Sequence, residues 1–175
     1  GKLFPRIRNI KNNERAVKFL PGGKVKVLKP GITLYWPIIT FLDSVIVTRQ
    51  VLNLPVQTLM TADMHSVIVS GSIVYVINDV YKYLVENFDA IDSINEMGCA
   101  AVRVVVTHST LEDIQFNKGE EIDKDLTETA QEMLQSFGID VAYARLTDFS
   151  KARVVNIVGL DAFLKKNNSN YSYLE

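Results

Sequence analysis

The side chains best suited to nucleophilic catalysis or metal binding are few in this sequence. Its two histidines, His65 and His108, and its one cysteine, Cys99, are not spaced in any metal-ligand pattern. Cys99 lies between Gly98 and Ala100 in a stretch with helical periodicity, so we expect it to be a small apolar side chain of the core and not a nucleophile. The sequence therefore predicts no metal site and no cofactor site.

Carboxylates and glycines add no catalytic pattern. Asp63 and Asp79 stand at the two ends of a long strand pattern, where turn and helix-cap roles account for them. Gly22-Gly23 is followed by neither a Lys-Ser/Thr pair nor a helix, so it is not a phosphate loop. We predict that the protein is not an enzyme and that Asp63 is a structural turn residue.

Length, composition and charge narrow the class of protein. The chain has 175 residues, of which 47% are hydrophobic and 22% charged, as is ordinary for a single domain with a real core. With a net charge of −1 and scattered tyrosines, it is not expected to bind nucleic acid. One cysteine fits a reducing compartment. The sequence contains no run of roughly 20 apolar residues and opens on no signal-peptide pattern, and we expect it to be a domain excised from a longer protein.

The predicted sheet is organised around residues 61–77, a turn followed by the longest strand pattern in the sequence. Val67, Val69 and Ile73 fall on one face of this strand, and Ile68 falls on the other. Shorter strand patterns precede it at residues 14–20, 24–28, 44–54 and 56–61. The short links between these segments favour antiparallel pairing.

Helical periodicity replaces the strand pattern after Asp79. Helices are predicted at residues 80–88, after a cap at Asp89, after a cap at Thr110 and at residues 117–137. Gly138 ends the last of these, residues 139–149 return to the sheet as a strand, and Ser150 is expected to cap a final short helix before a polar tail. The predicted fold class is α+β: an antiparallel sheet of about six strands, then helices packed on it, then one returning strand.

Two segments are candidates for contact with a membrane. Residues 1–13 are predicted to be a basic leader, either a solvated segment or a juxtamembrane one. The second segment is an apolar loop broken by proline, further along the chain. Its candidate membrane-contact residues are Trp36, Pro37, Ile38, Ile39, Phe41 and Leu42. Such a loop either packs beneath the sheet or dips into the bilayer interface, where Trp is favoured.

Short motifs occur in a fixed order along residues 14–149. They are Glu14-Arg15-Ala16-Val17, Pro30-Gly31-Ile32, Trp36-Pro37-Ile38, Asp43-Ser44-Val45, Thr61-Ala62-Asp63, Asn78-Asp79-Val80, Ala101-Val102-Arg103, Thr110-Leu111-Glu112-Asp113-Ile114 and Phe137-Gly138-Ile139. In order and spacing the set resembles the SPFH family, also called the band 7 or prohibitin-homology domain, which includes stomatins, prohibitins and flotillins. Met64, Val80 and Phe137 replace the family's usual Asn, Pro and Trp, which bears on the subfamily and not on the fold.

The resemblance implies a non-enzymatic scaffold that is membrane-associated, either peripherally or through a single anchor. Members of the family form large rings or cages, organise membrane microdomains and regulate membrane proteins such as proteases or channels. The expected partners are membrane lipids and related subunits, joined through a C-terminal coiled coil that this sequence lacks. The isolated domain is thus expected to be monomeric or weakly associating. Two alternatives stay open: a structural shell component not bound to membrane, and an enzyme acting through Cys99.

Overall fold

A computed structural model of the protein describes residues 4–87 and 89–151. Within these ranges it contains nine strands and two α-helices. The strands are β1 (Arg6–Ile10), β2 (Glu14–Leu20), β3 (Lys24–Leu28), β4 (Gly31–Tyr35), β5 (Phe41–Ile46), β6 (Gln50–Asn53), β7 (Gln57–Met60), β8 (Ser66–Ile77) and β9 (Ile139–Lys151). The helices are α1 (Ala90–His108) and α2 (Gly119–Leu134), with one-turn π-helices at Lys82–Glu86 and Asp113–Asn117 and a 3-10 turn at Gln135–Phe137.

The α+β prediction is confirmed, with strands first, helices after them and β9 returning to the sheet. The strands expected at residues 14–20 and 24–28 coincide with β2 and β3. Eight strands precede the helices, whereas about six are predicted. Beyond the five strand patterns in the sequence, β1 and β4 are additional, and residues 44–54 divide into the end of β5 and β6.

The strands form three antiparallel groups. β1 and β4 form a two-stranded ribbon, and β2 lies between β3 and β5 in a second sheet. In the third, β6 and β7 pair in succession with one edge of β8, and β9 pairs with the other edge from Val67 to Ile77. β8 is therefore the central strand that the sequence predicts.

The core lies between the third sheet and the two helices. Val67, Val69 and Ile73 alternate along β8 and are fully buried, as their shared face predicts. Buried partners on the helices are Ile94, Val102 and Val106 of α1 and Leu126, Ala130 and Leu134 of α2. Gly98 lets α1 approach closely, because a Cβ at this position would lie 2.7 Å from Cδ2 of Leu54.

Side chains at the predicted helix ends satisfy backbone groups in most cases. Asp79 Oδ1 accepts a hydrogen bond from the Lys82 N–H (3.1 Å), and Thr110 Oγ1 accepts one from the Asp113 N–H (3.2 Å). Asp89 precedes α1 as expected but makes no side-chain cap bond. The stop at Gly138 is confirmed, since this residue has φ of 74°.

Helix α2 covers the outer edge of β9. Side chains four residues apart on this helix bond to backbone groups along that edge. Gln131 Oε1 accepts from Val141 N–H, Thr127 Oγ1 accepts from Ala144 N–H (2.9 Å) and Asp123 Oδ1 accepts from Leu146 N–H (3.3 Å). A helix thereby takes the place of a neighbouring strand and protects an edge that would otherwise be open to pairing.

Two local predictions differ from the structure or fall outside the described residues. Residues 6–10 of the expected leader form β1, because they pair with β4. Ser150 belongs to β9 and pairs with Ile68, so it does not cap a helix, and the rest of the predicted final helix and tail lies outside the described residues. The domain boundaries at residues 13/14 and 149/150 stay predictions.

Candidate functional site

The connection between β4 and β5, residues 36–40, is a compact turn that we call the apolar tip. Thr40 Oγ1 accepts a hydrogen bond from the Trp36 N–H (3.1 Å) and donates one to the Trp36 carbonyl (2.7 Å). The Thr40 and Ile39 N–H groups also donate to that carbonyl, at 2.8 and 3.1 Å. Three hydrogen bonds between Trp36 and Thr40 and one between Trp36 and Ile39 therefore fix how this turn presents its side chains.

The side chains of the tip face outward. Trp36 is 47% exposed, Ile38 57% and Ile39 56%, while Pro37 is half-buried. Of the two packing alternatives for this segment, the structure favours the exposed one over a plug beneath the sheet. Exposure of so many apolar side chains in one turn is unusual, because connecting segments normally present polar groups to water.

The last two candidate membrane-contact residues lie in a strand and not in the loop. Phe41 and Leu42 begin β5, where Phe41 pairs with Phe19 and Leu42 with Lys18 of β2. Leu42 is half-buried, whereas Phe41 is 65% exposed and its ring centroid lies 5.8 Å from that of Phe19. The loop prediction is thus wrong at these two positions, because backbone pairing with β2 extends to Phe41.

The ribbon of β1 and β4 extends the exposed apolar surface beyond the predicted residues. Ile7 lies opposite Leu34, and Asn9 lies opposite Ile32, so these four side chains share one face. Ile7, Ile32 and Leu34, which we call the ribbon face, are exposed. Sequence reasoning missed them; the available signal was the alternation of β1 (RIRNI) and β4 (GITLY).

Polar contacts attach the opposite face of the ribbon to the second sheet. Arg8 Nη2 donates to Ser44 Oγ (3.0 Å), and Lys18 Nζ donates to the Leu34 carbonyl (2.9 Å). Ile10, at the end of β1, is 2% exposed. The ribbon is therefore held with its apolar face outward, next to the tip.

Asp63 lies in the turn between β7 and β8. Its Oδ1 accepts hydrogen bonds from the Thr61 hydroxyl (2.6 Å) and from the Leu111 N–H (3.1 Å). Its Oδ2 lies 3.0 Å from His65 Nδ1, a contact that becomes an ion pair when the imidazole is protonated. The Thr61 hydroxyl, followed by the Leu111 N–H, holds the pKa of the Asp63 carboxyl below its usual range.

The two histidines and the cysteine form no metal site in the part of the chain that the structure describes. Cys99 is half-buried on α1, and burial raises the pKa of its thiol. His108 ends α1, where its Nδ1 lies 2.6 Å from the Val104 carbonyl. In residues 4–87 and 89–151, no cluster of three or more His, Cys, Asp or Glu residues is suited to holding a metal ion. Across the same ranges, no helix has the length and apolar character needed to cross a bilayer.

Two sequence comparisons relate the chain to known proteins. The chain is 22% identical over 148 residues to a band 7 family protein of Acanthamoeba polyphaga mimivirus, covering 85% of this chain and 48% of that protein. The chain thus spans about half the length of this relative. The sequence model of the SPFH domain / Band 7 family matches residues 8–158, which include every described strand and helix except the first two residues of β1. The chain belongs to the SPFH domain / Band 7 family.

Proposed function

We propose that this domain is the membrane-apposed part of a non-enzymatic scaffold, and that it contacts the bilayer through the apolar tip and the ribbon face. The observation that carries the proposal is the continuous exposure of apolar side chains from β1, β4 and the turn after β4. Monomeric domains rarely expose an apolar patch of this extent without a function for it. Family membership supports the same role, because SPFH domains are typically membrane-associated.

The chemistry of the tip suits the interface between water and lipid. Trp36 combines an apolar ring system with an N–H donor, a combination favoured at headgroup depth. Ile38 and Ile39 project from a turn whose backbone hydrogen bonds are already formed, so insertion would leave few backbone groups to be desolvated. The proposed contact is shallow and peripheral.

A vesicle flotation assay on the 175-residue chain tests this proposal. Ile38→Ser combined with Ile39→Ser is expected to weaken vesicle binding by about 30-fold, since removing the two side chains forfeits on the order of 2 kcal/mol of apolar transfer energy. Trp36→Ala combined with Ile39→Ser is expected to act in the same direction. Circular dichroism should show unchanged folding, because these side chains are exposed.

A matched control removes two apolar side chains elsewhere that are at least as exposed as Ile38 and Ile39. Val56 is 66% exposed and Phe116 is 79% exposed, and neither belongs to the apolar tip or the ribbon face. Val56→Ser combined with Phe116→Ser should leave vesicle binding unchanged. Equal loss of binding in both double variants would refute a specific contact through the tip, and no binding by the unaltered chain would favour the shell component that is not bound to membrane.

We further propose that the scaffold assembles with other subunits into rings or cages. These would organise membrane microdomains or regulate membrane proteins such as proteases or channels. The 175-residue chain by itself is expected to sediment as a monomer or a weak oligomer, because linking subunits through a coiled coil is what would raise their effective concentration. Analytical ultracentrifugation measures this directly. A stable large ring formed by this chain would contradict the expectation and place the assembly contacts within the domain.

A further inference from the structure

The charges of this chain are divided unequally along its length, although its net charge is only −1. Residues 1–60 carry ten Lys and Arg against two Asp and Glu, whereas residues 61–151 carry six against sixteen. The division follows packing in the described residues: β1 to β5 chiefly contact one another, whereas α1 and α2 pack on β7, β8, β9 and each other. β6 and β7, which pair with β8, carry no charged residue. A basic strand unit at residues 1–49 therefore adjoins an acidic helical unit at residues 61–151.

Basic side chains flank the apolar surface from the ribbon side. Arg6 is exposed and pairs in register with Tyr35, the residue before Trp36. Lys18 donates to the Leu34 carbonyl, which places a second cation beneath the ribbon. Arg6 is thus positioned at the end of the ribbon that carries the tip.

More basic side chains flank the tip from the second sheet. Phe19 pairs with Phe41, so the turn between β2 and β3 lies at the same end of that sheet as the tip. Lys24 pairs with Leu20 at this turn, Lys26 follows two residues later, and both lysines are exposed. The tip therefore has exposed cations on two sides.

The two carboxylates of residues 4–60 are placed elsewhere. Glu14 pairs with Ile46, at the opposite end of β2 from Phe19. Asp43 accepts a hydrogen bond from the Ser44 N–H and lines a cavity together with Tyr83 of the helical unit. Neither carboxylate is positioned to offset the cations at the tip.

We propose that the apolar surface recognises a membrane rich in anionic phospholipids, with Arg6, Lys24 and Lys26 contacting the headgroups while the tip inserts between them. This rests on the proposed function and adds the class of lipid. An anionic surface attracts basic side chains held close to it, by about fivefold in affinity for each Lys or Arg. The same surface repels the acidic helical unit, so charge and apolarity both favour one orientation of the domain.

The test compares binding of the 175-residue chain to vesicles of phosphatidylcholine alone and to vesicles that also contain phosphatidylserine. The triple variant Arg6→Gln, Lys24→Gln, Lys26→Gln should lose about a hundredfold in affinity for the phosphatidylserine vesicles and change little on phosphatidylcholine alone. Raising NaCl from about 0.1 M to about 1 M should abolish the preference of the unaltered chain, since the Debye length falls from about 10 Å to about 3 Å.

A matched triple variant removes three cations from the helical unit and β9: Lys82→Gln, Lys124→Gln, Lys151→Gln. It changes net charge by the same amount and should bind phosphatidylserine vesicles like the unaltered chain. Equal losses in the two triple variants would overturn the proposal, because net charge and not position would then decide binding.

The remaining outcomes separate this inference from the proposed function. Equal binding to both vesicle types, still lost in Ile38→Ser/Ile39→Ser, overturns the lipid preference and leaves the membrane role standing. No binding to either vesicle type overturns both. The chain could instead self-associate without lipid and show no lipid preference. If salt and the Arg6/Lys24/Lys26 variant both reverse that self-association, these cations contact the acidic unit of a second copy, and the proposal is overturned.

Discussion

The carboxylate of Asp63 accepts a hydrogen bond of 3.1 Å from the backbone N–H of Leu111, a residue 48 positions further along the chain. A second bond runs beside it, from the Ala62 N–H to the Ser109 carbonyl at 3.0 Å. Together they join the turn before the central strand to the segment that follows α1. One short turn thus connects the third sheet to the helical unit.

Asp63→Ala is expected to lower the midpoint of thermal unfolding more than Asp63→Asn does. Asn retains an oxygen that accepts hydrogen bonds from the Thr61 hydroxyl and the Leu111 N–H, whereas Ala leaves both donors without this acceptor. Differential scanning calorimetry of the two variants measures the order. Asp125→Asn, an exposed carboxylate on α2, is the control and should change the midpoint little. A larger effect of Asn than of Ala would contradict the structural role predicted for Asp63.

The stabilisation by Asp63 should depend on pH. Its pKa is lower in the folded state than in the unfolded state, chiefly because of the Thr61 hydroxyl, so folding favours the charged form. Its contribution is complete above the unfolded-state pKa and is lost as pH falls through the folded-state pKa. The difference in unfolding midpoint between the unaltered chain and Asp63→Asn should therefore narrow as pH falls below about 4. A difference that widens below about pH 4 would refute this assignment.

Thr127→Val tests the protection of the β9 edge by α2. The Thr127 hydroxyl bonds to both the N–H and the carbonyl of Ala144, at 2.9 and 3.2 Å. Valine keeps the shape but leaves the N–H without an acceptor, so unfolding free energy should fall by about 1–3 kcal/mol. Urea titration measures this free energy of unfolding. Thr129→Val on the same helix is the control, and its expected change is within about 0.5 kcal/mol.

Gly138→Ala is expected to destabilise the protein by about 2–4 kcal/mol. Gly138 has φ of 74°, and an added Cβ would contact the Asp79 carbonyl, a backbone atom that cannot move aside cheaply. Gly119→Ala is the matched control, because a Cβ there meets nothing within 4 Å. It should be neutral or stabilise by up to about 1 kcal/mol. Similar urea midpoints for the two variants would show that the turn after α2 can rearrange.

Thr40→Val tests whether the hydrogen bonds of the tip matter for the proposed membrane contact. The substitution removes the acceptor for the Trp36 N–H and leaves every apolar side chain of the tip in place. Vesicle binding should weaken by about fivefold, on the order of 1 kcal/mol, because the turn must be ordered upon binding. Thr48→Val, also on the surface, should bind normally. Unchanged binding by Thr40→Val would mean that tip order is not needed.

Local periodicity and turn chemistry by themselves determined the fold class and most of the elements. The bounds of β2 and β3, the burial of alternate residues along β8, the caps at Asp79 and Thr110 and the stop at Gly138 all depend on residues close together in sequence. Short-range signals of this kind can be read from the chain because the same few residues make both the pattern and the contact.

Only the tertiary structure decided how distant segments combine. The sequence predicts a leader at β1 because a short alternation in five residues with two arginines is a weak signal by itself. Pairing with β4 is what turns Ile7 and Leu34 to one exposed face. The contact of Arg8 with Ser44, 36 residues apart, fixes that face outward. Long-range pairing leaves no local trace, so three features emerge only when the chain is folded: the joining of the apolar tip to the ribbon face, the position of the cations beside the tip, and the bond between Asp63 and Leu111.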